Sequence, residues 1–119
     1  MLALSRTPGP ALPGVTHIPY DQSDEASITA AARTVTGPID YVIHNVAIRG
    51  DTGGLATLTA DHLSEVMRIN VAGPLLLTRA LIPHLSPGAT LALSPAVRGL
   101  SPKAATPMAT MPIACPKPP

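Results

Sequence analysis

The sequence predicts an α/β protein in which helices pack on a parallel sheet. Over residues 1–94, short apolar runs alternate with longer stretches of helical periodicity. Residues 39–43, Ile-Asp-Tyr-Val-Ile, are apolar on both faces apart from Asp40, the pattern of a strand buried between helices. There is no Trp or Phe, and Tyr20 and Tyr41 are the aromatic residues. Core volume must therefore come from Leu, Ile, Val and Ala, which suits helix-on-sheet packing.

Residues 2–5, Leu-Ala-Leu-Ser, form a first apolar strand, closed by Arg6 and the Pro8-Gly9-Pro10 breaker. Residues 15–20 form a second strand. Ser23 and Asp24 then suit a helix start, because their side-chain oxygens accept the free amides of a first turn. Ile28, Ala31, Ala32 and Val35 follow at i, i+3, i+4 and i+7, one apolar stripe, and Gly37-Pro38 stops the helix. Residues 39–43 are the third strand. A loop with Gly50, Gly53 and Gly54 leads to Thr59, the cap of a long helix carrying Leu63, Val66, Met67 and Asn70 on one face and ending near Leu85. Pro87-Gly88 turns the chain into a fourth strand over residues 89–94. Strands alternating with helices imply right-handed crossovers.

At 119 residues with a formal charge of +1 and 13% charged residues, the chain reads as one domain. That composition excludes a basic nucleic-acid surface, and the lack of aromatic residues excludes a base-stacking platform. Cys115 stands alone, so no internal disulfide forms and a reducing cytoplasm is expected. The start lacks a charged-then-apolar signal layout, and the longest apolar run is far too short for a bilayer, so no membrane is expected. His17, His44, His62 and His84 have no paired spacing, so no metal site is expected. Prolines crowd after residue 101, at Pro102, Pro107, Pro112, Pro116, Pro118 and Pro119. Such a segment holds neither a helix nor a central strand. The composition divides the chain into a domain over residues 1–94 and a Pro-rich irregular or disordered tail over residues 95–119.

Polar residues in apolar surroundings mark the chemistry. Asn70 interrupts an apolar helical stripe, and Pro74 stands four residues on. Lacking an N–H, Pro74 leaves the Asn70 carbonyl without its helical partner, which makes either a water site or a simple kink. Asp21 either contacts a ligand or joins Ser23 and Asp24 in a helix-start cluster. Arg6, before Pro-Gly, reads on its own as a solvated loop residue.

Together these residues resemble the centre of the short-chain dehydrogenase/reductase family. The carriers are His44-Asn45-Val46-Ala47 after the third strand, Asn70 in Asn-Val-Ala-Gly, and Asp21-Gln22-Ser23-Asp24 after the second. The resemblance covers residues 1–94 and points to small carbonyl-reductase-like members related to the C-signal factor. It implies that residues 1–94 form a partial Rossmann-like domain, a parallel sheet with flanking helices. The family's first strand and its Gly-x-x-x-Gly-x-Gly turn have no counterpart in these 119 residues. It also implies an NAD(P)-dependent oxidoreductase acting on a small carbonyl or alcohol. By resemblance, Asn70 holds a water of the proton relay and Ser94 lies at the catalytic strand end. Asp21 and Gln22 meet the adenine, and Asn45, Val46 and Ala47 pass close to the cofactor. Arg6 reads the ribose, where a guanidinium favours the 2′-phosphate of NADP.

The family has Ser-Ser where this chain has Ser94-Pro95, and its Tyr-x-x-x-Lys falls on Met108 and Pro112. Shifting the reading frame from Pro95 onward permits Ser-Ser-Arg, then Tyr-x-x-x-Lys, in the family's order. The tail thus reads as a frameshifted catalytic segment, and the chain as an inactive fragment. A non-catalytic remnant that associates with other subunits is the alternative. With the family's first strand missing from the sheet's middle, the strands at 2–5 and 39–43 either pair directly or present open edges. Open edges invite self-association.

Overall fold

The computed structural model describes residues 1–50, 53–94 and 109–112. Strand β1 (Leu2–Ser5) runs parallel to β2 (Thr16–Pro19), with Leu4 opposite Ile18. The ladder continues at both ends through Thr16 N–H to the Met1 carbonyl (2.9 Å) and Tyr20 N–H to the Ser5 carbonyl (3.1 Å).

Helix α1 (Glu25–Arg33) starts at Asp24, whose carboxylate accepts the Ala26 amide at 3.0 Å. The expected stripe is buried: Ile28, Ala31, Ala32 and Val35 all enter the core. Val35 does so from beyond the helix end, because α1 closes at Thr34, before Gly37 at φ +89° turns the chain into β3 (Ile39–His44).

The long helix is interrupted. Thr59 caps α2 (Ala60–Met67), a π-helical turn follows over Arg68–Ala72, and α3 (Gly73–Leu81) ends in a 3₁₀ turn over Ile82–His84. The interruption stands where Pro74 predicts it, and a second carbonyl is freed beside that of Asn70. Gly73 N–H reaches back to Arg68 O, one residue beyond the α-helical partner, which releases the carbonyl of Ile69. The stripe also differs from expectation. No α2 residue is buried, and Leu63 and Met67 stand exposed while Val66 and Asn70 are half-buried.

Strand β4 (Leu85–Leu93) pairs in parallel with β3, matching Tyr41 to Thr90, Val42 to Leu91, Ile43 to Ala92 and His44 to Leu93. It begins at Leu85 rather than Ala89. Ile39 pairs with Leu85, and the intervening Ser86 to Ala89 bulge out, Gly88 taking φ +80°. The tail also departs from its reading as irregular. Ala109–Pro112 forms β5, antiparallel to β4. Pro112 is tolerated because β5 is an edge strand and Pro112 ends it. Residues 95–108 and 113–119 lie outside the described residues, with Pro95, Met108 and Cys115 among them.

The strands fall into two sheets, β1–β2 and β3–β4–β5. One core serves both. Ile18 from β2, Val42 from β3 and Leu91 from β4 meet Ile28 and Ala31 of α1 and Leu77 and Leu81 of α3. Of the two outcomes open to β1 and β3, the structure takes the unpaired one: each keeps an edge without a strand partner among the described residues. No helix among the described residues is long and apolar enough to cross a membrane.

Candidate functional site

Most of the candidate residues follow a strand. Arg6 comes just after β1, Asp21 and Gln22 after β2, Asn45 to Ala47 after β3, and Ser94 after β4. These are C-terminal strand ends, the side on which open α/β sheets bind ligands. Asn70 sits on the π-helical turn.

Asn70 holds the loop after β3 from both sides. Its Nδ2 donates to the Ile48 carbonyl, and its Oδ1 accepts the Ile48 amide, each at 2.8 Å. A carboxamide is the smallest side chain that supplies both halves of such a backbone-like pair. Asn70 is polar on an apolar stripe because it is bonded, not because it is surface.

Gln22 is the second clasp, and its side chain was not legible in the sequence. It is 6% exposed. Its Nε2 donates to the Ile69 carbonyl at 2.6 Å, the acceptor that the π-turn releases, and to the Val46 carbonyl at 3.2 Å. Its Oε1 accepts the Tyr20 hydroxyl at 3.3 Å. Gly73 makes room for it: a Cβ there would sit 2.6 Å from the Gln22 carbonyl oxygen. The signal was a long amide beside a strand end together with Gly73 just after Asn70, but the pairing needs the fold. Burial, with the charge of Asp21 beside it, pushes the Tyr20 phenol up to about 12.

Asp21 belongs to the helix-start cluster. Its Oδ1 accepts Ser23 N–H (2.9 Å) and Ser23 Oγ–H (2.7 Å), and its own amide donates to Ser27 Oγ at 2.9 Å. Those Ser23 hydrogen bonds hold its carboxyl below the usual carboxylate range, with smaller help from Arg6 and Arg68. Arg68, which sequence reasoning missed, thus joins Arg6 as a second cation at this end. Arg6 is exposed and acts here through its charge.

The loop after β3 is divided. Asn45 is exposed and lines the groove between the sheets, whereas Val46 gives its carbonyl to Gln22. Ala47 replaces a family glycine without left-handed strain, since positive φ among the described residues is confined to Gly14, Gly37, Gly54 and Gly88. Ser94 N–H donates to the His44 carbonyl at 2.9 Å, carrying the β3–β4 ladder to the site. His44 itself is buried beneath, its Nε2 3.0 Å from Thr78 Oγ1, and burial pulls its imidazole below the ordinary value. No group of three His, Cys, Asp or Glu residues able to hold a metal occurs among the described residues.

Comparison with known proteins follows this geometry. A family model described as enoyl-(acyl carrier protein) reductase matches residues 8–109. The chain is 37% identical over 71 residues to the short chain dehydrogenase tazN of Aspergillus terreus, covering 57% of this chain and 16% of that protein. It is 34% identical over 59 residues to C-signal of Myxococcus xanthus, covering 50% of this chain and 36% of that one. The solved structure of NADPH-bound carbonyl reductase from chicken fatty liver superposes with a TM-score of 0.55 at 33% identity, covering 60% of this chain and 30% of that chain. The chain spans little more than a third of these relatives' length at most.

Proposed function

Because this chain belongs to the short-chain dehydrogenase/reductase family, we propose that it is part of an NADP-dependent oxidoreductase of small carbonyls and alcohols. In this reading it carries the adenosine-side half of the site and is inactive by itself. One observation carries the reading. At the strand ends Gln22 is tied to Val46 and Ile69, and Asn70 to Ile48, with Asp21 closed on Ser23 beside them, on the side where α/β sheets bind ligands.

The residues fit the adenosine end of a dinucleotide. Arg6 and Arg68 supply positive charge around Asp21, suited to a 2′-phosphate. Asp21 keeps a carboxylate for an adenine amino group, and Asn45 and Ala47 offer the backbone beside the cofactor. A bound nicotinamide would supply or accept the hydride. Asn70 then holds the relay water through its carbonyl while its side chain fixes the loop at Ile48. Ser94 adjoins the reacting end. The pyrophosphate end has no Gly-x-x-x-Gly-x-Gly turn in these 119 residues, and no Tyr-x-x-x-Lys stands in this frame. The frame-shifted reading of residues 95–119 accounts for both missing catalytic residues.

Nucleotide titration tests this. NADPH at a hundredfold excess over its Kd should stabilise the chain by about 2.7 kcal/mol, NADH less, with no NADPH consumed in the presence of a carbonyl substrate. Loss of the NADPH preference in Arg6→Ala would support the ribose assignment. Absence of any nucleotide-dependent shift would overturn cofactor binding, and turnover would overturn the inactivity.

A second reading rests on a separate observation. Leu63, Met67, Val71 and Leu75 recur every four residues and are 48%, 51%, 43% and 65% exposed. This uncovered stripe supports association with other subunits through the long helix. Sedimentation that stays monomeric at high concentration would remove it.

A further inference from the structure

The π-helical turn over Arg68–Ala72 leaves one carbonyl with a choice of partner. In an unbroken α-helix the Ile69 carbonyl would accept from Gly73 N–H, four residues on. Here Gly73 N–H goes to Arg68 O instead. The next residue along is Pro74, which has no N–H to give. Within its own helix, then, Ile69 finds no donor in the π register. Gln22 supplies one from outside, its Nε2 lying 2.6 Å from Ile69 O.

The same nitrogen closes a ring. Its other N–H meets Val46 O at 3.2 Å. Ile48, two residues beyond Val46, is held on both its backbone groups by Asn70, and Asn70 follows Ile69 in sequence. The circuit runs from Gln22 through Ile69, Asn70, Ile48 and Val46 back to Gln22. A planar carboxamide holds its two acceptors in one fixed fork, and the Tyr20 hydroxyl, bonded to Oε1 at 3.3 Å, steadies the fork itself. Gly73 lets the two segments touch, because a Cβ there would meet Gln22 in both backbone and side chain.

We propose that Gln22 is a positioning residue: its carboxamide selects the π register of the long helix and so aims Asn70 at the loop after β3. Passing to the α register removes the extra residue from the turn and rotates one side of the helix against the other by about 100°. Asn70 stands inside that turn, so the α register takes its side chain off Ile48. Register is a discrete choice. One donor decides it, by occupying or leaving the carbonyl that Gly73 N–H would otherwise take. The register stands on geometry alone, whereas its consequence for chemistry rests on the reading of Asn70 as holder of a relay water. On that reading, one side chain joins the strand end that takes the adenosine to the residue that serves the reacting end.

The test uses the full chain, isotopically labelled for NMR and free of nucleotide. Scalar couplings across hydrogen bonds report which carbonyl each N–H faces. In the unaltered chain Gly73 N should couple to the Arg68 carbonyl carbon, and Gln22 Nε2 to that of Ile69. Gln22→Met keeps an unbranched side chain of similar length and donates nothing. In it the Gly73 coupling should move to Ile69, and the Ile48 amide should exchange about tenfold faster or more. A Gln22 that merely stabilises would lower the unfolding midpoint on replacement and leave Gly73 coupled to Arg68, which would overturn the proposal. So would a Gly73 already coupled to Ile69 in the unaltered chain, a measurement that holds even where Gln22→Met does not fold. Failure of NADPH to bind would leave these couplings in place and would overturn the cofactor reading alone.

Discussion

The strand ends and the strand edges of this protein differ in how their polar groups are satisfied. At the C-terminal ends, loops from three parts of the chain are closed on one another. Gln22 takes the carbonyls of Ile69 and Val46, and Asn70 takes both backbone groups of Ile48. Along the edges of β1 and β3 that face away from β2 and β4, backbone groups have no ladder partner among the described residues. The residues that close the ends are side chains, which a chain carries within itself. The edges require another backbone, and none among the described residues lies between them. A rim can therefore be complete while the sheet beneath it is divided.

That contrast can be broken by loosening the rim. Gly73→Ala should have the largest effect, because its Cβ meets the Gln22 backbone oxygen, which no rotamer change relieves. A loss of about 3 kcal/mol in urea unfolding is expected. A loss below about 1 kcal/mol would show that the rim yields easily.

Gln22→Ala should follow, at about 2 kcal/mol, because it orphans the Ile69 carbonyl at the π-turn and the Val46 carbonyl together. Its cost should couple to that of Gly73→Ala in a double-mutant cycle, since the two residues touch. Simple additivity would separate them.

Asn70→Ala sharpens the comparison locally. It removes both bonds to Ile48 and should cost about 1–2 kcal/mol, with faster exchange of the Ile48 amide and little change at Leu2 or Leu4. Faster exchange along β1 would mean that rim and edge move as one unit.

The smallest effect is a pH dependence. Burial lowers the pKa of His44 from its ordinary 6.5, so the unfolded chain binds the proton first. The His44 contribution to stability should be level above pH 6.5 and fall as the pH drops from there towards the lowered native value. His44→Gln, which keeps a polar partner for Thr78, should flatten that slope. A slope unchanged in His44→Gln would assign it to another group.

Much of the architecture was legible in the residues. The Ile28, Ala31, Ala32 and Val35 stripe, the Asp24 and Thr59 caps, and the break ahead of Pro74 all appear at their expected places. Parallel pairing of the strand at 39–43 with the one at 89–94 follows too, apart from its early start at Leu85. The early start was hidden because Ser86, Pro87 and Gly88 look like a turn, and a bulge uses the same residues. Strand β5 was hidden because proline forbids a central strand and is silent about an edge.

Within the candidate site, Asn70 stood out as a polar residue on an apolar stripe, and its resemblance to the family's relay Asn added a role. Gln22 did not stand out in the same way. Its partners lie 24 and 47 residues away in sequence, and no local spacing encodes them. Asp21 was ambiguous in the sequence for a physical reason, since a carboxylate before Ser23 suits a cap and a ligand equally well. Its bonds to Ser23 put it in the helix-start cluster.

By itself, then, the sequence determined what depends on neighbours along the chain: periodicity, caps, the proline-broken helix and the family those motifs spell. Only the tertiary structure decided which freed carbonyl Gln22 would capture and that β1 and β3 would face each other unpaired. Helical and strand periods repeat within a few residues and leave a local imprint. Partners across the core are chosen by packing, and packing is specified by the whole chain at once.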